Sequence, residues 1–399
     1  MSRFKGYSPD QSYLLPPSVR DELGEEHLCF FIRRVVERLD LSAFLQSYSA
    51  EGGSLYPPEL MLGVWLYAYA VGLTSARQLE RRMVEDLALR YLSGGARVDN
   101  WALSAFRRRH ARALNDCFTQ VLEMARSLGL GKLGRVAIDS TRIQASACRD
   151  KIDSLDALRS TRAHLRRQIR RWQKAADQDD NNESGGFQVA IAALDQALTE
   201  LPPRLERLKK SGLKKMSRTD GDARFLRQRS GFVLGYTAEI AVSDDHLIVA
   251  QRVGQQAVDN ASLLPMIELV DQQCGQQPEQ LVADSGYFSC ANLAELEARQ
   301  IDAYLPDSNL AQALNLGIEC KATAKDPAHY RMRQKMISAK GRATYSRRKA
   351  TVEPVFGVLK QQRNIRQFRT RGLDRVGTEF TLATIAYNLT RLHTVQRDA

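Results

Sequence analysis

The chain changes from helical to strand-like patterning at residue 134, and the order of the segments that follow restricts the fold. The segment GRVAIDSTRI (134–143) is an apolar run of strand length, and Asp139 stands where its polar part begins. Two further strand-like runs, FVLGYTAEIAV and HLIVAQRV, are joined by a short turn. A helix over about 261–273 then leads to QLVADSGYF, in which Asp284 again follows an apolar run. We therefore expect two carboxylates on separate strands of one sheet.

The remaining segments complete a recognisable order. A helix (CANLAELEARQ) and a strand (IDAYLP) follow the second acid, and a helix around Glu353 comes next. A strand with an acid, two antiparallel strands, a helix, a second strand with an acid, a helix, a strand and a final helix form the order of the ribonuclease-H-like α/β fold. The sequence predicts such a domain over 131–375, with a C-terminal helix over 376–399.

An interruption of this order runs from 151 to 215 and is predicted to be a helical hairpin. Its first half has apolar residues at heptad spacing, and a polar loop (DQDDNNESGG) separates it from a second apolar stripe. Pro202 and Pro203 must kink or break the second helix. The hairpin has a basic outer face, which suits either an arm that follows DNA or a dimerisation element. The sequence leaves both open.

The part before the sheet, 1–130, is predicted to be an all-helical DNA-binding domain. The piece from Ser104 to His110 follows a short turn and carries Arg107, Arg108 and Arg109. This piece suits a recognition helix whose arginines contact DNA, and equally an ordinary basic helix face.

Charge is concentrated near the C-terminus. The whole chain has a net charge of +12, and the segment 321–375 holds 16 Lys and Arg against only three Asp and Glu. Solvated faces usually mix both signs, so a nearly single-signed segment favours an anionic partner such as nucleic acid.

Glu353 lies inside this basic segment. One face of its predicted helix is apolar, and Lys349, Glu353 and Lys360 fall on the other at helical spacing. Because proline is tolerated in the first helical turn, Pro354 predicts that the helix begins near Thr351. Lys360 is placed to pair with a phosphate.

Asp139, Asp284 and Glu353 together suit a pair of divalent ions. Mg²⁺, or Mn²⁺ in its place, prefers carboxylate oxygen, and two such ions can clamp the attacking and leaving oxygens of a phosphodiester. The six cysteines are widely spaced, with no C-x-x-C pair, which argues against a zinc site. We expect these three acids to be both the catalytic and the metal-binding residues.

These motifs resemble the DDE transposases of bacterial insertion sequences, in the branch whose Glu motif combines Tyr, Arg, Glu and Lys. The resemblance is carried by YPPELMLGVWLYAYAVGLTSARQLE, VAIDSTRIQASA, GYTAEIAV, ADSGYFSCANL and VEPVFGVLK, in that order. It implies a metal-binding triad of Asp139, Asp284 and Glu353, with Lys360 as the motif lysine. Lys349 stands at the Arg position, and Arg348 and Tyr345 are further expected DNA contacts.

The resemblance implies an enzyme that binds terminal inverted repeats, cleaves the transposon ends and joins the 3′-OH to target DNA. A homodimer or higher oligomer would assemble on the DNA. Two other classes stay open: a domesticated, non-catalytic DNA-binding protein, and a metal-dependent nuclease of the same fold. The most apolar segment (60–73) has 14 residues and is too short to span a bilayer, so a buried helix, no membrane partner and a cytoplasmic location are expected.

Overall fold

A computed structural model describes residues 18–46, 56–177, 185–228 and 231–398. The described helices are α1 Leu28–Val36, α2 Ser42–Leu45, α3 Pro58–Ala70, α4 Ala76–Glu85, α5 Leu87–Leu92, α6 Asn100–Arg109, α7 Ala111–Ser127, α8 Leu155–Asp177, α9 Gly185–Thr199, α10 Leu201–Ser211, α11 Leu263–Cys274, α12 Cys290–Ala298, α13 Ser308–Leu316, α14 Pro327–Ile337, α15 Ala339–Gly357 and α16 Leu373–Asp398. The described strands are β1 Arg135–Gln144, β2 Ile152–Ser154, β3 Lys215–Ser217, β4 Arg224–Gln228, β5 Gly231–Ser243, β6 Ile248–Gly254, β7 Gln280–Ala283 and β8 Asp302–Tyr304.

Strand β1 lies inside a six-stranded mixed sheet. It pairs antiparallel with β5 on one edge and parallel with β7 on the other, and β7 pairs parallel with β8. The far edge of β5 pairs with β4 near its start and with β6 near its end. This topology confirms the predicted mixed α/β sheet and is compatible with a ribonuclease-H-like fold.

The segment 151–215 is held at its base by a two-stranded sheet. Strands β2 and β3 pair antiparallel, and α8, α9 and α10 extend between them with a small apolar core of their own. Helix α10 begins at Leu201 with the two prolines in its first turn, so the second helix is broken as predicted. At the base, the buried Asp153 forms ion pairs with Arg204 and Arg218.

The N-terminal helices and the sheet share one hydrophobic core. Helix α3 is almost entirely buried, as its uniformly apolar sequence predicts. The 26-residue helix α16 contacts α3, α7 and strand β6. These contacts join the N-terminal helices to the sheet. Apolar packing is therefore continuous across the predicted boundary at residue 130.

Helix α15 begins twelve residues earlier than predicted. The expected start near Thr351 is wrong, because Ser338 caps the helix through Gly341 and Pro354 lies inside it. Proline supplies no N–H to the carbonyl four residues before it. Three residues after Gly357, Lys360 lies in one turn of π helix, Val358–Gln362.

Gly235 allows β5 to approach β1 closely. A Cβ at this position would lie 2.1 Å from the carbonyl oxygen of Ile143, which is backbone and cannot move aside. We expect Gly235→Ala to lower the free energy of unfolding by roughly 2–4 kcal/mol or to prevent folding. Gly254→Ala in β6 is the control, since its nearest new contact is a side-chain atom at 3.8 Å. Urea denaturation measures the free energy of unfolding of both variants. An equal loss of this free energy in the two variants would contradict the expectation.

Candidate active site

Asp139 and Asp284 are neighbours across two parallel strands. In the pairing of β1 with β7, Ile138 lies opposite Ala283, and each aspartate is the next residue along its chain. Paired strands lie about 4.8 Å apart, so the register places the two carboxylates side by side. The sheet thus brings together residues separated by 145 positions in the sequence.

Each aspartate is fixed by local hydrogen bonds. Asp139 Oδ1 accepts from the backbone N–H of Ser140 at 2.8 Å, and Asp284 Oδ1 accepts from that of Gly286 at 2.9 Å. The second bond caps a short 3-10 turn, Ser285–Tyr287, which ends β7 directly after the acid. These bonds fix the carboxylates before any ligand arrives.

Arg348 of α15 supplies a positive charge to the pair. Its Nη1 donates to Asp139 Oδ2 at 2.8 Å, and the two side chains are only 9% and 17% exposed. A buried guanidinium beside a buried carboxylate is a strong, charge-assisted contact. It also joins α15 to the central strand of the sheet.

Burial makes the negative charge of both acids costly. The pKa of Asp139 is raised to about 6, chiefly by burial, with Arg348 opposing the shift and Asp284 adding to it. Burial also raises the pKa of Asp284, and Arg348 again opposes the shift. Two adjacent carboxylates with raised pKa values form a site that gains from a cationic ligand.

Asp139 and Asp284 line a pocket of about 1020 Å³, whose other lining residues are acidic, basic or uncharged and polar. Lys360 reaches it from the π-helical turn and donates to the hydroxyl of Thr141 on β1. Burial lowers the pKa of Lys360, and Arg366 and Arg142 add to the effect. The pocket therefore holds carboxylates and cations close together, including Lys360 and Arg142 beside Asp139, Asp259 and Asp284.

Asp259 and Arg142 line the same pocket and were not predicted as site residues. Arg142 Nη1 lies 3.2 Å from Asp259 Oδ1, and both side chains are largely buried. The charge of Asp259 contributes to the raised pKa of Asp284. The only sequence signal is a polar Asp259-Asn260 pair shortly after a strand, which is common in loops.

Glu353 does not join the two aspartates in this structure. Its side chain is exposed on α15, between Arg348 and Lys360 along the helix. Within the described ranges, no three Asp, Glu, His or Cys side chains stand close enough to hold a metal ion. Asp139 and Asp284 fit a hard divalent cation by donor type and adjacency, with one guanidinium, that of Arg348, beside two carboxylates. Glu353 remains a predicted ligand.

Tyr345 and Lys349 lie on either side of Arg348 along α15 and have different surroundings. Tyr345 is half-buried beside Arg348, and burial raises the pKa of its phenol. Lys349 is exposed and donates to Asn315 Oδ1 at 3.3 Å on a neighbouring helix. The resemblance put Lys349 at the Arg position of the motif, but Arg348 is the cation that contacts Asp139.

Two protein-family models match the chain. Residues 135–389 match the family described as Transposase DDE domain, and residues 17–109 match one described as Transposase domain (DUF772). The chain belongs to the DDE transposase family. No curated protein and no solved structure gave a significant match.

This assignment makes the protein a DNA transposase of the insertion-sequence type, with DNA as its partner. The first match covers the whole sheet and both aspartates, and the second covers most of the N-terminal helices. Within the described ranges, no helix has the length and apolar character needed to cross a membrane.

One predicted DNA contact of the transposase is corrected. Arg107 is only 5% exposed, its Nη1 donates to the hydroxyl of Tyr69 at 2.7 Å, and its guanidinium lies 4.1 Å from the ring centre of Trp65. It stabilises the packing of α6 on α3 and is unavailable to a phosphate. Arg108 and Arg109 are exposed and remain predicted contacts.

The burial of Arg107 gives a stability prediction. Arg107→Ala should lower the free energy of unfolding of the transposase by roughly 2–4 kcal/mol, because it leaves buried polar groups without partners and removes the cation–π contact. Arg108→Ala should change it by no more than about 0.5 kcal/mol. Denaturant titration measures the free energy of unfolding of both variants. Equal effects would show that Arg107 is no more buried than Arg108.

The raised pKa of Asp139 gives a pH prediction. The folded protein binds this proton more tightly than the unfolded chain, whose aspartates titrate near about 3.9, so the contribution to stability grows as pH falls through about 6. Measured without divalent ions, the free energy of unfolding of the wild type relative to Asp139→Asn should rise by about 1 kcal/mol between pH 7 and pH 5. Two parallel pH curves would be inconsistent with a raised pKa.

Proposed function

We propose that this transposase binds the terminal inverted repeats of its element, cleaves the DNA at the ends and joins the freed 3′-OH to target DNA by two-metal chemistry. The observation that carries the proposal is the adjacency of Asp139 and Asp284 across β1 and β7. The family match over the same residues supports the reaction class.

In this proposal Asp139, Asp284 and Glu353 are the catalytic ligands of two Mg²⁺ or Mn²⁺ ions. When bound, such ions stabilise charge on the phosphate oxygens and lower the pKa of a bound water or hydroxyl. Glu353 is included because it stands on α15 between Arg348 and Lys360, both of which contact β1. Its exposed carboxylate is accessible to a ligand.

Lys360 would contact the phosphate beside the cleaved bond. Its ammonium donates to Thr141, and both residues line the pocket that contains Asp139 and Asp284. A phosphate that contacts Lys360 would therefore lie in the same pocket as the two aspartates. Burial strengthens a charge–charge contact by excluding water. Lys349, Tyr345, Arg108 and Arg109 are proposed to bind the backbone farther from the reaction.

Arg348 is proposed to position Asp139 instead of binding DNA. A guanidinium 9% exposed and already donating to a carboxylate is poorly placed to meet a phosphate from solvent. Its contact holds one carboxylate oxygen of Asp139 in a defined direction. This role replaces the predicted DNA contact of Arg348.

The domain roles are part of the same proposal. The mixed sheet is a ribonuclease-H-like catalytic domain, 151–215 is a helical insertion into it, and the N-terminal helices bind DNA as part of a homodimer or higher oligomer. Helix α8 exposes the arginines at 159, 162, 166, 167, 170 and 171, which favours DNA as the partner of that face. The C-terminal helix is structural, since it fills the core between both parts.

Cleavage of labelled DNA that carries the inverted repeats flanking the coding region tests this function. With Mg²⁺ present, Asp139→Asn, Asp284→Asn and Glu353→Gln should each reduce end cleavage by about a hundredfold or more, because each removes a ligand charge. Gel-shift binding of the same DNA should persist. The control is Asp244→Asn, which removes an exposed carboxylate outside the pocket.

Each other outcome would contradict a different part of the proposal. Cleavage that survives in both aspartate variants would refute the proposed site. Loss of activity in the aspartate variants alone would remove Glu353 from the triad. Cleavage by the wild type without joining to target DNA would indicate a nuclease, and sequence-specific binding without metal-dependent cleavage would indicate a non-catalytic DNA-binding protein.

A further inference from the structure

The hairpin of β4 and β5 exposes two aromatic rings beside the candidate active site. Phe232 is 70% exposed and Phe225 is 39% exposed, although phenylalanine is normally among the most buried residues. An exposed ring has to be hydrated at a free-energy cost that burial would remove. Two such rings on one hairpin indicate a surface that another molecule covers.

The strand register places both rings on one face, with an arginine between them. Arg227 lies opposite Phe232 in the antiparallel pair, and opposite residues point to the same side of a sheet. Phe225 is two positions before Arg227 on β4 and therefore shares that side. The other face carries Leu226 and Val233, which are buried. Leu234, which lies opposite Phe225 on the face of the rings, is buried as well, so the hairpin is well packed and the exposure is confined to the two rings and Arg227.

This face is continuous with the acid pocket. Arg227 and Gln228 line the pocket that also contains Asp139, Asp284 and Lys360. Within the paired segments of the hairpin, 224–228 and 231–235, the charged residues are all arginines. A ligand that enters the pocket along these strands meets positive charge and aromatic surface before it meets the carboxylates.

We propose that Phe225, Arg227 and Phe232 form a stacking surface for unpaired nucleobases of the DNA strand whose phosphate occupies the pocket. Aromatic rings stack on any base, and an arginine between them contacts the intervening backbone. Bases inside a paired duplex are already stacked on each other, so the surface selects DNA that is opened next to the cleavage position. The inference rests on the proposed function and specifies the form of its substrate.

The pattern favours DNA over a protein partner for this face. A protein interface usually surrounds an apolar centre with residues of both charges, whereas the hairpin offers arginines alone. The covered surface is also small, only two rings, which suits one or two bases better than a stable protein interface. Its direct connection to the pocket places those bases next to the reacting phosphate.

The proposal is tested by comparing the affinity of the protein for two DNA ends of equal sequence. One end is fully paired, and the other has several unpaired bases next to the cleavage position. Measured without divalent ions, the wild type should bind the opened end more tightly. Phe225→Ala together with Phe232→Ala should reduce this preference at least about fivefold for each ring removed. The fluorescence of 2-aminopurine at an unpaired position should be quenched by the wild type and by Phe232→Trp, and less so by the alanine variant.

Trp101→Ala is the matched control, because Trp101 is 72% exposed on α6 and lies outside the pocket. It should leave the ratio of the two affinities unchanged even if total DNA binding falls. A preference that survives in the folded double alanine variant would overturn the proposal, as would a change in oligomeric mass with no change in the ratio. Since cleavage by the aspartate variants is measured separately, failure of the stacking surface and failure of the proposed chemistry are distinguishable.

Discussion

Parallel pairing of β1 with β7 is the constraint on which the candidate site depends. The pairing aligns Ile138 with Ala283, and the chain direction then brings the next two residues, both aspartates, to the same edge of the sheet. If Ile138 and Ala283 were paired antiparallel, the two residues that follow them would lie in opposite directions along the sheet. A parallel connection needs a long crossover, and strands β5 and β6 with helix α11 supply it. The position of the two carboxylates therefore depends on the topology of the whole sheet.

A second constraint acts through α15. Two like charges in a poorly hydrated setting repel each other, and Arg348 is the protein's own compensation. The same helix continues into a π-helical turn that contains Lys360, and Lys360 donates to Thr141. Helix α15 and this turn thus bring Arg348 to Asp139 and Lys360 to a residue two positions farther along β1.

Short-range pattern was sufficient for much of the fold. The strands around Asp139 and Asp284, the helices between them and the broken helix at Pro202 were predicted because each depends on periodicity or on one residue's backbone chemistry. The start of α15 was not, because Thr351 and Pro354 resemble a helix start while Ser338 actually provides the cap. Only the assembled structure shows which side chain of a basic run turns inward. Three consecutive arginines in α6 look alike in sequence, yet the first of them packs on Trp65.

The same limit applies to the site. Arg348 and Lys349 are adjacent in sequence, and helical rotation sends one to Asp139 and the other to Asn315. Asp259, in a loop, carries little signal of its own, since its relevance comes from its contact with Arg142 on β1. Contacts of this kind depend on which elements meet, and no local pattern encodes that.

The long C-terminal helix has a consequence for synthesis of the protein. Helix α16 is translated after every other described element, yet it contacts α3, α7 and strand β6 in the shared core. Until it leaves the ribosome, the N-terminal helices lack the apolar partner that completes their packing. A chain that stops before Leu373 therefore lacks apolar partners of its N-terminal helices together with those of its sheet. Insertion-sequence copies that encode such a chain should produce protein that is degraded, instead of a stable fragment.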